Sequence, residues 1–289
     1  MTRRRTIEWQ VCGICNYDCS YCIQSRAARV GHPSADDVEG FLRFFAALPG
    51  AWEIKMTGGE PFAFKGFMDR IVPGLIAETP HTLSVLTNLS APAHVLERFA
   101  ALTRGRLGIV SASIHLEHVA IETFVEKAAA FRRAIDPAAA MVINEVLVPS
   151  ALDQVGAARA AIERAGLRFF PQIMKVKGGK FPYDAEDQEK VRDLIGESPT
   201  PRTANLAPSY RGRKCWTGVD YFVLTQTGEA WSCRTAKRFH EGYLGNALDG
   251  SFALRDGPLP CAYDICPCTV PANRGMIEGV GDAAAEAAE

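Results

Sequence analysis

The placement of cysteine constrains this chain more than any other feature. Nine of the 289 residues are cysteine. Four lie between Cys12 and Cys22, five between Cys215 and Cys268, and the 192 residues from 23 to 214 hold none. A secreted disulfide scaffold is usually short and spreads its thiols along the chain, and an odd number cannot all pair. Clustered thiols are typical of metal and iron–sulfur ligands, so two groups predict two metal sites. The remaining composition, 47% hydrophobic and 22% charged, is that of a globular protein rather than a disordered or repetitive one. Lys plus Arg number 32 against 33 for Asp plus Glu. That is no basic excess, so no nucleic-acid partner is expected. No apolar run reaches the ~18–20 residues of a spanning helix, and the basic start Met1–Ile7 has no signal core behind it. A cytoplasmic protein without membrane association is expected.

Between the cysteine groups, short apolar runs alternate with helical patterns. Strands are predicted at Ile7–Val11, Trp52–Met56, Leu83–Thr87, Leu107–Ile114, Met141–Val146 and Leu167–Ile173. Helices are predicted at Ala35–Leu48, Phe67–Thr79, Pro92–Leu102, Ile121–Ile135 and Ala151–Ala165. Ser34 with Asp37, and Ser150 with Asp153, resemble capping boxes in which Asp stands where Glu is preferred. Six βα units imply a parallel sheet with right-handed crossovers. A closed eight-stranded barrel needs two more, so the expected α/β fold is a partial (βα)6 TIM-like barrel over residues 5–180. A helix at Ala185–Ile195 and a Pro-containing linker occupy 181–214. Beyond it, Tyr221–Leu224 and Ala230–Cys233 flank Thr227-Gly228 and read as a β-hairpin. They belong to a small cysteine-rich module over 215–275, too short to bury much core without metal. Residues 276–289 are expected to form a flexible tail.

Cys15, Cys19 and Cys22 follow the first strand at spacings of four and three. Three thiolates on one loop can hold three irons of a four-iron cluster and leave the fourth without a protein ligand. An open metal position is what a catalytic site keeps. The competing reading is a structural zinc loop with a distant fourth ligand, for which Cys12 qualifies. Cys12 otherwise ends its strand as a small buried hydrophobe.

Cys15-Asn-Tyr-Asp-Cys19-Ser-Tyr-Cys22, placed after the first strand of a βα barrel, resembles the signature of the radical S-adenosylmethionine (SAM) superfamily. Thr57-Gly58-Gly59-Glu60-Pro61, after the second strand, is similar to that family's Gly-Gly-Glu-Pro motif. The resemblance covers about residues 5–180. It implies a [4Fe–4S] cluster on Cys15, Cys19 and Cys22, with the methionine part of SAM chelated at the open iron. It further implies reductive cleavage of SAM to a 5′-deoxyadenosyl radical, fed by a flavodoxin- or ferredoxin-type electron donor. Gly58 and Gly59 would let backbone approach the cofactor, with carbonyls or Glu60 accepting from its ammonium group and Pro61 completing the motif. Tyr21 would pack near the adenine. Polar residues at the carboxyl ends of later strands, where barrel ligands gather, are the remaining cofactor candidates. They are Asn88, Ser111 and Ser113 with His115, and Asn144; the family's polar contact after strand four points to Ser113.

In the second group, Cys215-x12-Gly228-x4-Cys233 resembles the opening of the SPASM and twitch modules appended to radical enzymes. Cys261, Cys266 and Cys268 follow. Five cysteines rather than seven match the shorter twitch form and imply one auxiliary [4Fe–4S] cluster. Cys215, Cys233 and two of Cys261, Cys266 and Cys268 would hold it, with a structural zinc as the alternative. The spacing would place Cys215 and Cys233 at the bases of adjacent strands across the turn at Gly228. Family members act on sugars, aminocyclitols, nucleotides or peptides, and this chain has no room for a separate cobalamin or peptide-recognition domain. The expected function is hydrogen abstraction from a small polar substrate, a net dehydrogenation where the auxiliary cluster takes the second electron. Modification of a short peptide and a non-catalytic metal-binding role are the alternatives. Lys175–Lys180 with its paired glycines, and Arg211, Arg213 and Lys214, can hold phosphate or carboxylate or be solvated loops. His115, Glu117 and His118 can supply a base or simply open a helix.

Overall fold

All six predicted barrel strands form, with boundaries within two residues of expectation. The computed structural model describes residues 3–24, 29–176, 179–195, 209–264, 266, 268 and 270–280. The barrel strands are β1 (Thr6–Cys12), β2 (Glu53–Gly58), β3 (Thr82–Thr87), β4 (Leu107–Ile114), β5 (Ala140–Leu147) and β6 (Arg168–Ile173). Helices α1 (Ala35–Ala47), α2 (Val72–Glu78), α3 (Ala93–Leu102), α4 (Ile121–Ala134) and α5 (Leu152–Arg164) alternate with them, and α6 (Ala185–Ile195) follows β6. Neighbouring strands are parallel from β1 to β6. The side chains of Ile7, Trp9 and Val11 are buried against the helices, with Trp9 packed on Phe41 and Phe45 at 4.9 and 5.0 Å. Alternate residues Glu8 and Gln10 point the other way and line the barrel cavity, as do Lys55 and Thr57 on β2.

Two helix starts differ from expectation. The Ser34–Asp37 capping box forms, but α5 begins after a 3-10 turn at Pro149–Ala151, with Ala151 as its uncapped first boundary. Asp153 instead pairs with Lys190 of α6 at 2.9 Å. The helix predicted over Phe67–Thr79 opens as a π turn, Phe67–Ile71, before α2. Pro73 has no N–H for the ordinary i−4 bond, which accounts for the widened turn.

The hairpin of the carboxyl-terminal segment is not a free-standing element. Its strands β7 (Tyr221–Leu224) and β8 (Glu229–Trp231) turn at Gly228, whose φ of +86° suits glycine. β7 pairs parallel with β1, Thr6 opposite Tyr221 through Trp9 opposite Leu224. With β9 (Tyr243–Asn246) the sheet reads β9-β8-β7-β1-β2-β3-β4-β5-β6. The short helix α7 (Arg234–Arg238) lies between β8 and β9, and α8 (Val270–Asn273) is the last described helix. Two buried ion pairs join this segment to the barrel: Glu8 with Arg234 at 2.6 Å and Glu53 with Arg274 at 2.6 Å. Met276 and Ile277, placed by sequence in a flexible tail, are buried. Met276 accepts from Trp216 N, and Glu278 N donates to Lys214 O. The linker from 196 to 208 and the tail from 281 lie outside the described residues. No helix among the described residues is long and apolar enough to cross a membrane.

The Glu53–Arg274 pair gives a direct test of this welding. Burial alone would push the Glu53 carboxyl up, but the charge and hydrogen bonds of Arg274 outweigh it and bring it from 4.5 to about 2. Arg274→Ala leaves a buried carboxylate without its cation, and urea unfolding at neutral pH should show a loss of about 3–5 kcal/mol. A depressed carboxyl stabilises above its unfolded value and ceases to do so as pH falls towards its folded one. Wild-type stability should therefore drop between roughly pH 5 and pH 2, and the variant's should drop less. Parallel pH curves would contradict the assignment.

Candidate functional site

The loop after β1 rests directly on the end of β2. Gly59 N donates to Cys12 O at 2.9 Å, and Glu60 N to Ile14 O at 2.8 Å. A Cβ on Gly59 would stand 1.9 Å from the Ile14 carbonyl oxygen. On Gly58, where φ is +149°, it would stand 2.4 Å from that of Cys12. Only glycine permits this approach. Glu60 is 1% exposed, and its oxygens accept from Thr87 Oγ1 (2.8 Å), Asn88 N (2.6 Å) and Phe62 N (3.2 Å). Burial raises its carboxyl to about 7. Both oxygens are thus engaged within the fold, and the residue forks β2 to β3 before it offers anything to a ligand. Pro61 is buried at the start of a 3-10 turn and does not reach the cavity wall, so it shapes the motif without touching a cofactor.

A second contact holds the cysteine loop from the end of β4. Cys19 Sγ lies 3.5 Å from His115 Nδ1, and the Tyr21 hydroxyl is 2.7 Å from the same nitrogen. His118 stacks on Tyr17 at 4.5 Å. Glu117 accepts from Ser20 N at 2.8 Å and from the Ser20 hydroxyl. Burial, with His118 beside it, lowers the His115 pKa to about 4, so its ring is neutral. The three residues considered as a possible base therefore brace the loop. Cys12 is fully buried, its thiol 3.5 Å from Glu60 O, and burial pushes it up to about 12, the behaviour of a core residue rather than a ligand.

Cys15, Cys19 and Cys22 line a cavity of about 1460 Å³ together with residues of all six barrel strands. Tyr21, Gly58, Gly59, Asn88, Ser113 and Asn144 line the same cavity, so the structure brings the sequence-derived candidates together. Asn88 Nδ2 donates to Asn16 Oδ1 of the cysteine loop at 3.1 Å. Asn144 accepts from Gln172 Nε2 at 3.0 Å. Burial raises the thiols of Cys15 and Cys19, and the neighbouring sulfurs add to the rise, which places the three thiols close enough to act on one another. Yet among the described residues no three cysteine sulfurs lie within 4.8 Å of one another. A zinc tetrahedron with Zn–S bonds of about 2.3 Å needs sulfurs about 3.8 Å apart, whereas an iron–sulfur cluster holds its thiolates at the corners of a larger body. The donor set fits the cluster. Glu117 and His118 gather near Cys19 alone and do not complete a site with Cys15 or Cys22.

The carboxyl-terminal thiols divide by what they face. Cys215 is not at the base of the hairpin. A turn at Trp216–Asp220 separates it from β7, and Lys214–Cys215 pairs instead with Leu259–Pro260. Cys215, Cys261 and Cys266 pack beside Tyr210, Ala272 and Ile277. Cys233 caps α7, its sulfur accepting from Ala236 N at 3.3 Å. The Cys266 thiol is raised by burial and then by all four other sulfurs of the group. Cys268 differs: its Sγ is 3.7 Å from Glu8 Oε2, and it is the one member of the five that lines the barrel cavity. Arg211, considered as an anion ligand, pairs with Asp264 at the surface, and neither it nor Arg213 and Lys214 line the cavity. Lys175 does, while residues 177 and 178 lie outside the described chain.

Residues 9–141 match the family profile of the radical SAM superfamily. This part of the chain belongs to that superfamily. A radical SAM domain implies a four-iron cluster and SAM, and Cys15, Cys19 and Cys22 lie within the matched segment. The chain is 36% identical over 76 residues to GTP 3′,8-cyclase of Shewanella denitrificans, a match spanning 25% of this chain and 22% of the cyclase. The solved structure of anSMEcpe with bound AdoMet superposes with a TM-score of 0.59 at 14% identity, covering 85% of this chain and 78% of that one. Streptococcus suis SuiB does so with a TM-score of 0.59 at 16% identity, covering 86% and 64%. At such identities the likeness is one of fold.

Sequence reading passed over the polar interior of the barrel: Glu8, Lys55 and Arg234. The signal was present as polar or charged residues at alternate positions inside apolar strands, Glu8 and Gln10 in β1 and Glu53, Lys55 and Thr57 in β2. The glycine contact generates a test. Gly59→Ala should displace the cysteine loop and cost the first site its iron after anaerobic reconstitution, while the second site fills normally. Full iron loading in the variant would show that the close approach is dispensable.

Proposed function

We propose that this chain is a radical SAM enzyme that removes hydrogen from a small polar substrate held inside the barrel, in a net dehydrogenation. In it, the second electron passes to the auxiliary cluster and the second proton to solvent. The observation that carries this reading is that one cavity is lined by Cys15, Cys19 and Cys22 and also by Cys268 of the second cysteine group. Cys15, Cys19 and Cys22 would hold the four-iron cluster, and Cys215, Cys233, Cys261 and Cys266 the auxiliary one, leaving Cys268 facing Glu8. When bound, the first cluster and SAM supply a 5′-deoxyadenosyl radical that can take a hydrogen atom from carbon. The protein's part is placement. Gly58 and Gly59 keep the cysteine loop low on the sheet, Asn88 ties it to β3, and His115 fixes Tyr21 at the cavity wall. The β1–β7 pairing extends the cavity wall past the edge that a bare six-stranded sheet would leave at β1.

A second reading, modification of a peptide side chain, is supported by likeness of fold. Related folds have been solved with peptides, SuiB with precursor peptide SuiA and anSMEcpe with a Cp18Cys peptide.

Iron analysis and product analysis test the proposal separately. Anaerobically reconstituted protein should carry about eight irons per chain and form 5′-deoxyadenosine on reduction with SAM. Cys15, Cys19 and Cys22→Ala together should leave about four irons and no 5′-deoxyadenosine. Cys268→Ala should keep all eight, whereas Cys266→Ala should fall to about four. Four irons in the wild type would remove the auxiliary cluster, and loaded protein that cleaves no SAM would leave a metal-binding role.

A further inference from the structure

The barrel cavity concentrates positive charge that the chain as a whole does not have. Over the full sequence, 32 basic residues balance 33 acidic ones. Along the cavity wall there are ten Lys and Arg against three Glu. Of the ten, Arg132, Arg159 and Arg168 stand on α4, α5 and the exposed start of β6, and Arg29 and Arg274 pair with Asp18 and Glu53. None of the three cavity-wall carboxylates is available. Glu8 accepts from Arg234 Nε (2.9 Å) and Nη2 (2.6 Å) on one oxygen, and from the Tyr221 hydroxyl on the other. Glu60 is engaged by Thr87, Asn88 and Phe62, and Glu163 pairs with Arg159 at 2.9 Å.

Lys55 is the side chain left over. It sits on β2 directly opposite Glu8 of β1, on the inward face. It makes no hydrogen bond or ion pair among the described residues, because Arg234 already holds Glu8 and Arg274 already holds Glu53. Burial lowers its pKa and outweighs the longer-range pull of Glu8 and Glu53. Lys237 of α7, also on the cavity wall, is in the same position, with burial again the main cause of a lowered pKa. An enclosed ammonium without a partner is costly and is relieved when an anion enters.

We propose that Lys55, supported by Lys237, is a recognition point for an anionic group of the substrate, a carboxylate or a phosphate, held in the barrel cavity beside Glu8 and Cys268. The substrate is therefore an acid or a phosphate ester rather than a neutral sugar. This rests on the reading of the cavity as a substrate site. A competing role is to offset negative charge on the second cysteine group, since Cys268, beside the proposed cluster ligands, is among the charges that act on Lys55.

The experiment is thermal unfolding of reconstituted wild type, Lys55→Met, Lys55→Gln and Lys237→Gln, titrated with inorganic phosphate or with glutarate. SAM is present at saturation, so its own carboxylate is not the responding anion. One of the two anions should raise the wild-type unfolding temperature saturably, and which one names the substrate group. Its dissociation constant should rise about tenfold or more in both Lys55 variants, and by less in Lys237→Gln. Without anion, Lys55→Met should unfold no earlier than wild type, because the burial cost that is removed outweighs the lost attraction to Glu8 and Glu53. No stabilisation of wild type by either anion would overturn the proposal, as would equal affinity in wild type and the Lys55 variants. So would an auxiliary-cluster potential that shifts in Lys55→Gln while anion binding stays intact. The same samples are assayed for 5′-deoxyadenosine. Its absence from a wild type that still binds anion would sink the enzymatic reading and leave the anion site standing.

Discussion

The contact on which the site depends is backbone against backbone, where Gly58 and Gly59 pass beneath the loop that leaves β1. A methyl group at Gly59 would lie inside the Ile14 carbonyl oxygen, at 1.9 Å. Because nothing intervenes, the loop takes its height from the sheet, and three thiols spaced four and three apart come to line one cavity. Glu60 continues the constraint sideways by bonding Thr87 and Asn88 at the end of β3. From the other side His115 meets both Cys19 and Tyr21. Each of these ties belongs to a different strand end, so the position of the cysteine loop is a property of the whole parallel sheet.

A second constraint runs through the barrel interior. Burying a carboxylate in a sheet is unfavourable without a cation and hydrogen bonds to match it. Glu8 and Glu53 each receive both from arginines more than two hundred residues away, Arg234 and Arg274. The carboxyl-terminal segment is thereby part of the barrel. It adds β7 to what would otherwise be an open edge at β1, and it carries Cys268 into the cavity. The same two pairings leave Lys55 without an ion pair of its own, under only the longer-range pull of Glu8 and Glu53, so a demand of the fold creates a vacancy that a ligand can answer.

Much of the fold was legible because its signals are local. Parallel strands buried on one face read as short apolar runs, and all six were placed to within two residues. The Ser34–Asp37 cap was readable for the same reason, while the matching pattern at Ser150 failed because Pro149 imposes a 3-10 turn ahead of α5. The site followed the same rule. Cys15, Cys19, Cys22 and Gly58-Gly59-Glu60 lie within short motifs, and their geometry is set by those motifs. The pairing of β7 with β1, the arginine partners of Glu8 and Glu53, and the orientation of Cys268 depend on contacts between distant parts of the chain. Spacing along the sequence carries no record of them. Even so, a polar or charged residue at every second position of β1 and β2 marked the interior as polar before any partner was known.

The account turns on whether the cluster at Cys15, Cys19 and Cys22 keeps one iron for the cofactor. Electron paramagnetic resonance of the reduced protein, recorded with and without SAM in a variant lacking Cys215, Cys233, Cys261 and Cys266, reads that iron without interference. A spectrum whose g-values shift on adding SAM is the predicted result. An unaltered spectrum from a fully loaded cluster would mean that a side chain already occupies the position, and the proposed chemistry would have no place to begin.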